Sequence, residues 1–379
     1  MLSSLLLALS ATIVSAVPAS THQDGNVNGT IPRPKVIFDN DWNSVGFVPF
    51  LQALKANWDV LGLVSDTSDS WALQCGLHAL AILEVGDLEC IPVYRGANYP
   101  LLNTPGLYRA WADVHGRLPW EGAFAPENQT KEALGNNPTS GDPNRISKSA
   151  FKEGYPNNTF ASDISAAEFM VQQVRKYPGE VTIYSAGALT NIALAARIDP
   201  NFAKNTKGLV IMGGYLDGNL LQTTGSTRLA DFQSDINLKM DPESSKIVLT
   251  SPFPKITING NVANTLISTQ EFLDEIYEVK NPYSELMHKH YGTEFPFWDE
   301  TAAAVMVDPS IVKNSTQFYL DVDTSYGSPT YGNIHAYQKE LAPRVQTLQL
   351  VDYILEIDVD AFKKQIKEAV QYPPTCGSF

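Results

Sequence analysis

The stretch that most constrains this chain runs from Lys35 to Leu51. Val36, Ile37 and Phe38 form a short apolar run, the pattern of a strand buried on both faces, and it ends abruptly at Asp39 and Asp41. Strands of that kind belong to parallel sheets with helices on either side, and ligands bind in the crevice at their carboxyl ends. Two carboxylates at that edge can share a hard cation, and one can take a proton from a bound water. The plainer role for the pair is to cap the helix expected to begin near Gly46.

The rest of the chain repeats the rhythm. Asp59 to Val64 reads as a second buried strand, ending in Ser65-Asp66-Thr67-Ser68-Asp69. A helix from Ala72 to Glu84 and a short strand from Ile91 to Tyr94 follow. From about Asn98 to Ala161 the periodicity fails, and a stretch that long reads as a lid or a flexible insertion. A helix opening at Ser162 leads to strand Val181–Tyr184, then to a tight turn at Gly187 and an Ala-rich helix. Strands at 208–212 and 255–258, helices between 269 and 291, an Ala-rich helix after Trp298-Asp299, strands at 317–322 and 351–357 and a closing helix at 361–370 complete the pattern. The expected fold is α/β: a mostly parallel central sheet flanked by helices, in one domain over 34–379 with an irregular insertion over about 98–161.

Charge narrows the partners. Among 379 residues, 41 acidic against 27 basic side chains give a formal charge of −14, which argues against nucleic acid and against an anionic membrane surface. Cations and neutral small molecules remain. The first 19 residues are apolar, too short to span a bilayer and followed by small residues, so they read as a secretory signal, although without the usual basic side chain. Residues 20–33 are a polar, flexible lead-in. Sequons at Asn28, Asn128, Asn157 and Asn314 fit a secreted, extracellular glycoprotein. Three cysteines allow at most one disulfide, Cys90 with Cys376 or Cys75 with Cys90.

The order of motifs resembles the inosine-uridine-preferring nucleoside hydrolase family, calcium enzymes that cleave the N-glycosidic bond of ribonucleosides. Asp39-Asn-Asp41-Trp-Asn-Ser-Val45-Gly46 matches the family's opening aspartate loop, and Ala186-Gly-Ala-Leu-Thr-Asn-Ile-Ala193 its Gly-Pro-Leu-Thr-Asn turn. Val210-Ile-Met-Gly-Gly214, Gly218-Asn219, the Asp235-to-Glu243 segment, Trp298-Asp299 and Val114-His115-Gly116 match further motifs in the family's order. The resemblance implies that Asp41 is both general base and calcium ligand, with Asp299 and the Ala186 carbonyl as further ligands; Asp39, Asn43, Asp66 and Asp69, in the same sheet-edge loops, could supply substitute oxygens. It implies that Asn219, Asp235 and Asn237 hold ribose hydroxyls, that Met212 packs near the sugar, and that Asp69 stands where the family has a ribose-contacting Asn. Relatives are commonly oligomers, so the resemblance admits a homo-oligomer. On their own chemistry Met212 could be core, Asp235 and Asn237 turn formers, and His115 a solvated surface group.

The departures concern the metal and the leaving group. Val45 and Gly46 occupy the places of two aspartates, which implies a weakened or altered Ca²⁺ site. Trp298 replaces a histidine that protonates the base in some members; an indole can stack on a base but cannot supply a proton at neutral pH. A surviving enzyme needs another acid, for which His115 is the candidate, or a leaving group that needs little help. Three readings follow: a secreted N-riboside hydrolase, an inactive nucleoside- or sugar-binding protein of the same fold, and a phosphotransfer hydrolase built on Asp-x-Asp.

Overall fold

Alternation along the first strand decides how the layers form. In the computed structural model, which describes residues 32–216 and 235–378, Val36 and Phe38 of strand β1 (Lys35–Asn40) enter one apolar core and Ile37 enters another. The first core packs helices Val48–Lys55, Ala72–Glu84, Trp298–Val307 and Val359–Gln371 against the sheet. The second packs Ala166–Lys176, Thr190–Ile198 and Pro242–Leu249. Each fully buried side chain such as Phe38 stabilises this arrangement by about 2 kcal/mol. The expected leader, most of the lead-in and Asn219 lie outside the described residues.

The remaining strands are β2 (Asp59–Ser65), β3 (Val93–Tyr94), β4 (Val181–Ala186), β5 (Gly208–Ile211), β6 (Ile256–Ile258), β7 (Val312–Val322), β8 (Ile334–Tyr337) and β9 (Leu350–Ile357). They form one sheet in the order β3-β2-β1-β4-β5-β6-β9-β7-β8. Pairing is parallel from β3 through β9, and antiparallel for β9 with β7 and β7 with β8. The mostly parallel α/β expectation is met. The edge strand β8 was not foreseen, because its four residues carry no run of buried apolar positions. Central β1 sets Asp39 opposite Ser185, and Asn40 opposite both Ser65 and Ala186, so three strand ends meet at one edge.

The insertion carries structure of its own. It holds a helix, Pro105–His115, started by Pro at its first turn and capped by Thr104, whose hydroxyl accepts from the Leu107 amide at 3.1 Å. Tyr108, Trp111 and Phe124 form a third apolar cluster with Trp71 and Tyr331. Farther on, His78 on the Ala72–Glu84 helix contacts Glu153 at 2.5 Å and Asn137 at 2.8 Å, all from within the protein. The segment is therefore a packed cover. Periodicity missed it because its helices are short and its apolar contacts come from aromatics spaced by Pro and Gly.

The disulfide joins Cys90 to Cys376 and leaves Cys75 buried and free. It ties the C-terminus to the loop after the Ala72–Glu84 helix, 286 residues away in sequence. Among the described residues no helix is long and apolar enough to cross a membrane.

Candidate active site

The site begins where β1 runs out. After Asn40 the chain turns: the Gly46 amide donates to the Asn43 carbonyl at 3.1 Å and the Val45 amide to Asn43 Oδ1 at 3.0 Å. Trp42 locks the turn from beneath, fully buried, with Nε1 donating to the Val64 carbonyl at 2.7 Å. That anchoring sends Asp41 into a cleft of about 730 Å³, counting the space at its mouth. Asp41, Asp69, Ala186, Met212, Asp235, Asn237, Trp298 and Asp299 all line it.

Each polar group is held by a neighbour from another loop. Asp41 Oδ2 accepts from the Asp69 amide at 2.9 Å, and Asp69 Oδ1 accepts from Trp120 Nε1 at 2.8 Å. Asp235 caps its helix through the Leu238 amide at 3.0 Å and also accepts from the Gly214 amide at 2.5 Å. Gly213 makes that approach feasible: its φ is 131°, and a Cβ there would lie 2.9 Å from Asp235 Oδ1. Asn237 accepts from Ser68 Oγ at 2.8 Å and points its amide at Met212 Sδ, 3.1 Å away. Asp235 thus caps its helix while both it and Asn237 line the cleft. Asp299 Oδ2 takes a long bond of 3.3 Å from Asn40 Nδ2.

The field in the cleft is strongly negative. Burial raises the Asp41 carboxyl well above the usual carboxylate range, and the charges of Asp69, Asp66 and Asp299 raise it further. Asp299 is raised by burial, then by Glu300 and Asp69. Asp69 is raised by burial, against the bond from Trp120. Among the described residues lining the cleft there is no Lys, Arg or His. Among the described lining residues a phosphate would find no basic side chain as counter-charge. A hard cation suits the oxygen donors of Asp41, Asp299 and the Ala186 carbonyl. Among the described residues no three acidic, His or Cys side chains converge as a metal cage. Val45 and Gly46, both on the lining, bring no carboxylate to it.

A second set of lining residues is aromatic. Trp298 donates from Nε1 to Asn264 Oδ1 at 2.6 Å, and Phe295 meets its ring edge-on at 5.0 Å. Tyr291 donates its hydroxyl to Glu300 Oε1 at 2.8 Å, and burial pushes Glu300 up to about 7. Trp120 reaches in from the insertion with 49 % of its surface still exposed. Sequence reasoning missed Trp120, Tyr291 and Glu300 as site residues. The signals were faint: a lone Trp in a Pro-rich loop, and aromatic residues clustered ahead of Trp298.

Two expectations fail on placement. His115 closes the Pro105–His115 helix, 3.2 Å from the Gly327 carbonyl and beside Trp111, and it does not line the cleft. The family-like Val-His-Gly segment ends a helix packed on the insertion's own aromatic cluster, which carries the histidine away. Asp39 does not line the cleft either; its side chain points to the opposite face of β1 and accepts from Asn191 Nδ2 at 2.9 Å. Asn219 lies outside the described residues.

Comparison with known proteins agrees with this geometry. The family model described as inosine-uridine preferring nucleoside hydrolase matches residues 36–364. Uncharacterized protein C800.11 of Schizosaccharomyces pombe is 34% identical over 361 residues, covering 90% of this chain and 87% of that one. Probable uridine nucleosidase 2 of Arabidopsis thaliana is 30% identical, over 68% of each chain. The solved plant nucleoside hydrolase PpNRh1 shares the fold with a TM-score of 0.65 at 22% identity, over 90% of this chain and 100% of the other. With the sheet order, the strand-end aspartates and these matches in agreement, the chain belongs to the inosine-uridine preferring nucleoside hydrolase family.

Proposed function

We propose that the cleft hydrolyses the N-glycosidic bond of a ribonucleoside or a related N-riboside. The observation that carries the reading is the juxtaposition in one cleft of a hydroxyl-binding set, Asp69, Asp235 and Asn237, with an aromatic set, Trp120, Tyr291, Phe295 and Trp298. A ribose needs the first and a flat base the second. Asp41 stands in the same cleft as the group that takes a proton from the attacking water. Its Oδ2 is fixed by the Asp69 amide, leaving Oδ1 for that task.

The C1′–N bond breaks toward an oxocarbenium-like sugar, so negative charge around the ribose favours the transition state more than the ground state. Asp235 and Asn237 accept from and donate to the sugar hydroxyls. Trp298, pinned by Asn264, offers its face to the base, which departs with the C1′–N electron pair as its anion and takes its proton from water. Asp41, Asp299 and the Ala186 carbonyl would hold Ca²⁺. When bound, that ion would orient the sugar hydroxyls and lower the pKa of a water. Gly46 and Val45 favour a second reading, a binding protein without turnover, because the carboxylates a strong calcium site needs are missing there.

The Cys90–Cys376 disulfide, and the exposure of Asn128, Asn157 and Asn314 at their sequons, support a secreted, glycosylated protein. The deciding experiment follows ribose release from a panel of ribonucleosides with calcium and with a chelator. Chelator-sensitive release supports hydrolysis. No release from any nucleoside by folded protein that still binds one of them would select the second reading.

A further inference from the structure

Beneath the cleft, on the opposite face of β1, three oxygens have no hydrogen-bond partner although no part of their side chains reaches solvent: Asp39 Oδ2, Asp66 Oδ2 and Ser185 Oγ. Their other contacts are accounted for. Asp39 Oδ1 accepts from Asn191 Nδ2 at 2.9 Å, and Asp66 Oδ1 accepts from the Ala188 amide at 3.3 Å. Ser185 is the register partner of Asp39 on the adjacent parallel strand, so both side chains leave the sheet on the same face. The two carboxyls lie within hydrogen-bonding reach of each other. Gly187 is what admits Asp66, since a Cβ there would lie 2.2 Å from Asp66 Oδ2.

Two adjoining carboxylates in a dry interior repel one another strongly unless something positive sits between them. Among the described residues no basic side chain bonds either one. All the free donors are oxygens, and two carboxylates balance two positive charges.

We infer that Asp39, Asp66 and Ser185 form a second, buried site for a hard divalent cation of the calcium or magnesium class, separate from the cleft of Asp41 and Asp299. An ion there would cross-link the ends of β1, β2 and β4, the strands that deliver Asp41, Asp69 and Ala186. Its role is positioning, because none of the three residues lines the cleft. The inference stands apart from the proposed hydrolysis, since a non-catalytic protein would hold the ion equally well.

The test starts from Asp299→Asn, which weakens cation binding in the cleft and leaves the buried trio intact. The protein is loaded with calcium or with magnesium, freed of excess by gel filtration, and its bound metal and melting temperature are measured with and without chelator. Asp299→Asn should retain one of the two metals and melt lower once chelated. Adding Asp66→Asn, which is isosteric, should abolish both effects, and adding Ser185→Ala in its place should weaken binding about tenfold while the fold is kept. Retention of metal after Asp66→Asn overturns the inference, because the ion is then elsewhere. Absence of metal from Asp299→Asn, with a melting temperature indifferent to chelator, also overturns it; a proton or a water then joins the two carboxyls.

Discussion

The polar lining of the cleft and its aromatic lining are built in different ways. Asp41 and Asp69 come from the loops after β1 and β2, Asp235 and Asn237 from the start of the helix Ile236–Met240, and each is fixed by a backbone amide or a side chain of a neighbouring loop. Trp120, Tyr291, Phe295 and Trp298 come from the insertion and from the segment before a late helix; Trp298 and Tyr291 are steadied by side chains such as Asn264 and Glu300. The polar set is tied to the sheet and leaves little room for change, whereas the aromatic set can vary with the loops that carry it. On the proposed reading, the contrast teaches that sugar chemistry belongs to the scaffold and base preference to its attachments.

The largest effect should come from breaking the polar set at its centre. Asp41→Ala should lower kcat for ribose release about a thousandfold while substrate still binds. Full turnover in that variant would move the base to another residue. Trp298→Ala should lower kcat/KM about tenfold to a hundredfold, more for larger bases, because stacking scales with ring area. An equal loss for every base would mean that the ring serves only to shape the cleft. Gly46→Asp, which restores a carboxylate, should tighten calcium about tenfold in a direct titration. The loop must yield slightly, as a Cβ at position 46 comes 3.3 Å from the Asn43 nitrogen. Unchanged affinity in a folded variant would show that other oxygens already complete the site.

Most of the polar set was legible in the sequence, because short apolar runs ending in Asp or Asn mark the carboxyl ends of parallel strands. Asp41, Asp69, Met212 and Asp235 were found that way and by the order of the motifs. Asp39 was misplaced for a local reason: its side chain leaves β1 toward Asn191, on the face opposite Asn40, and the chain turns after Asn40, so the alternation that would set Asp41 beside it does not continue. His115 was misplaced because its motif sits in an insertion whose path is fixed by Tyr108, Trp111 and Phe124 packing on Tyr331 and Trp71. Trp120 could not be ranked, since a partly exposed Trp in a loop has no periodicity to interpret.

By itself the sequence determined the layered α/β plan, the strand-end carboxylates and the absence of two family aspartates at Val45 and Gly46. Those features rest on local rules: burial patterns of period two and 3.6, and the identity of side chains at the turns. Only the tertiary structure decided which carboxylates share the cleft, that Trp120 closes on Asp69, and that Asp39 and Asp66 meet with Ser185 behind it. Those contacts join residues from about 30 to nearly 260 positions apart, and no local propensity encodes a distance across the sheet.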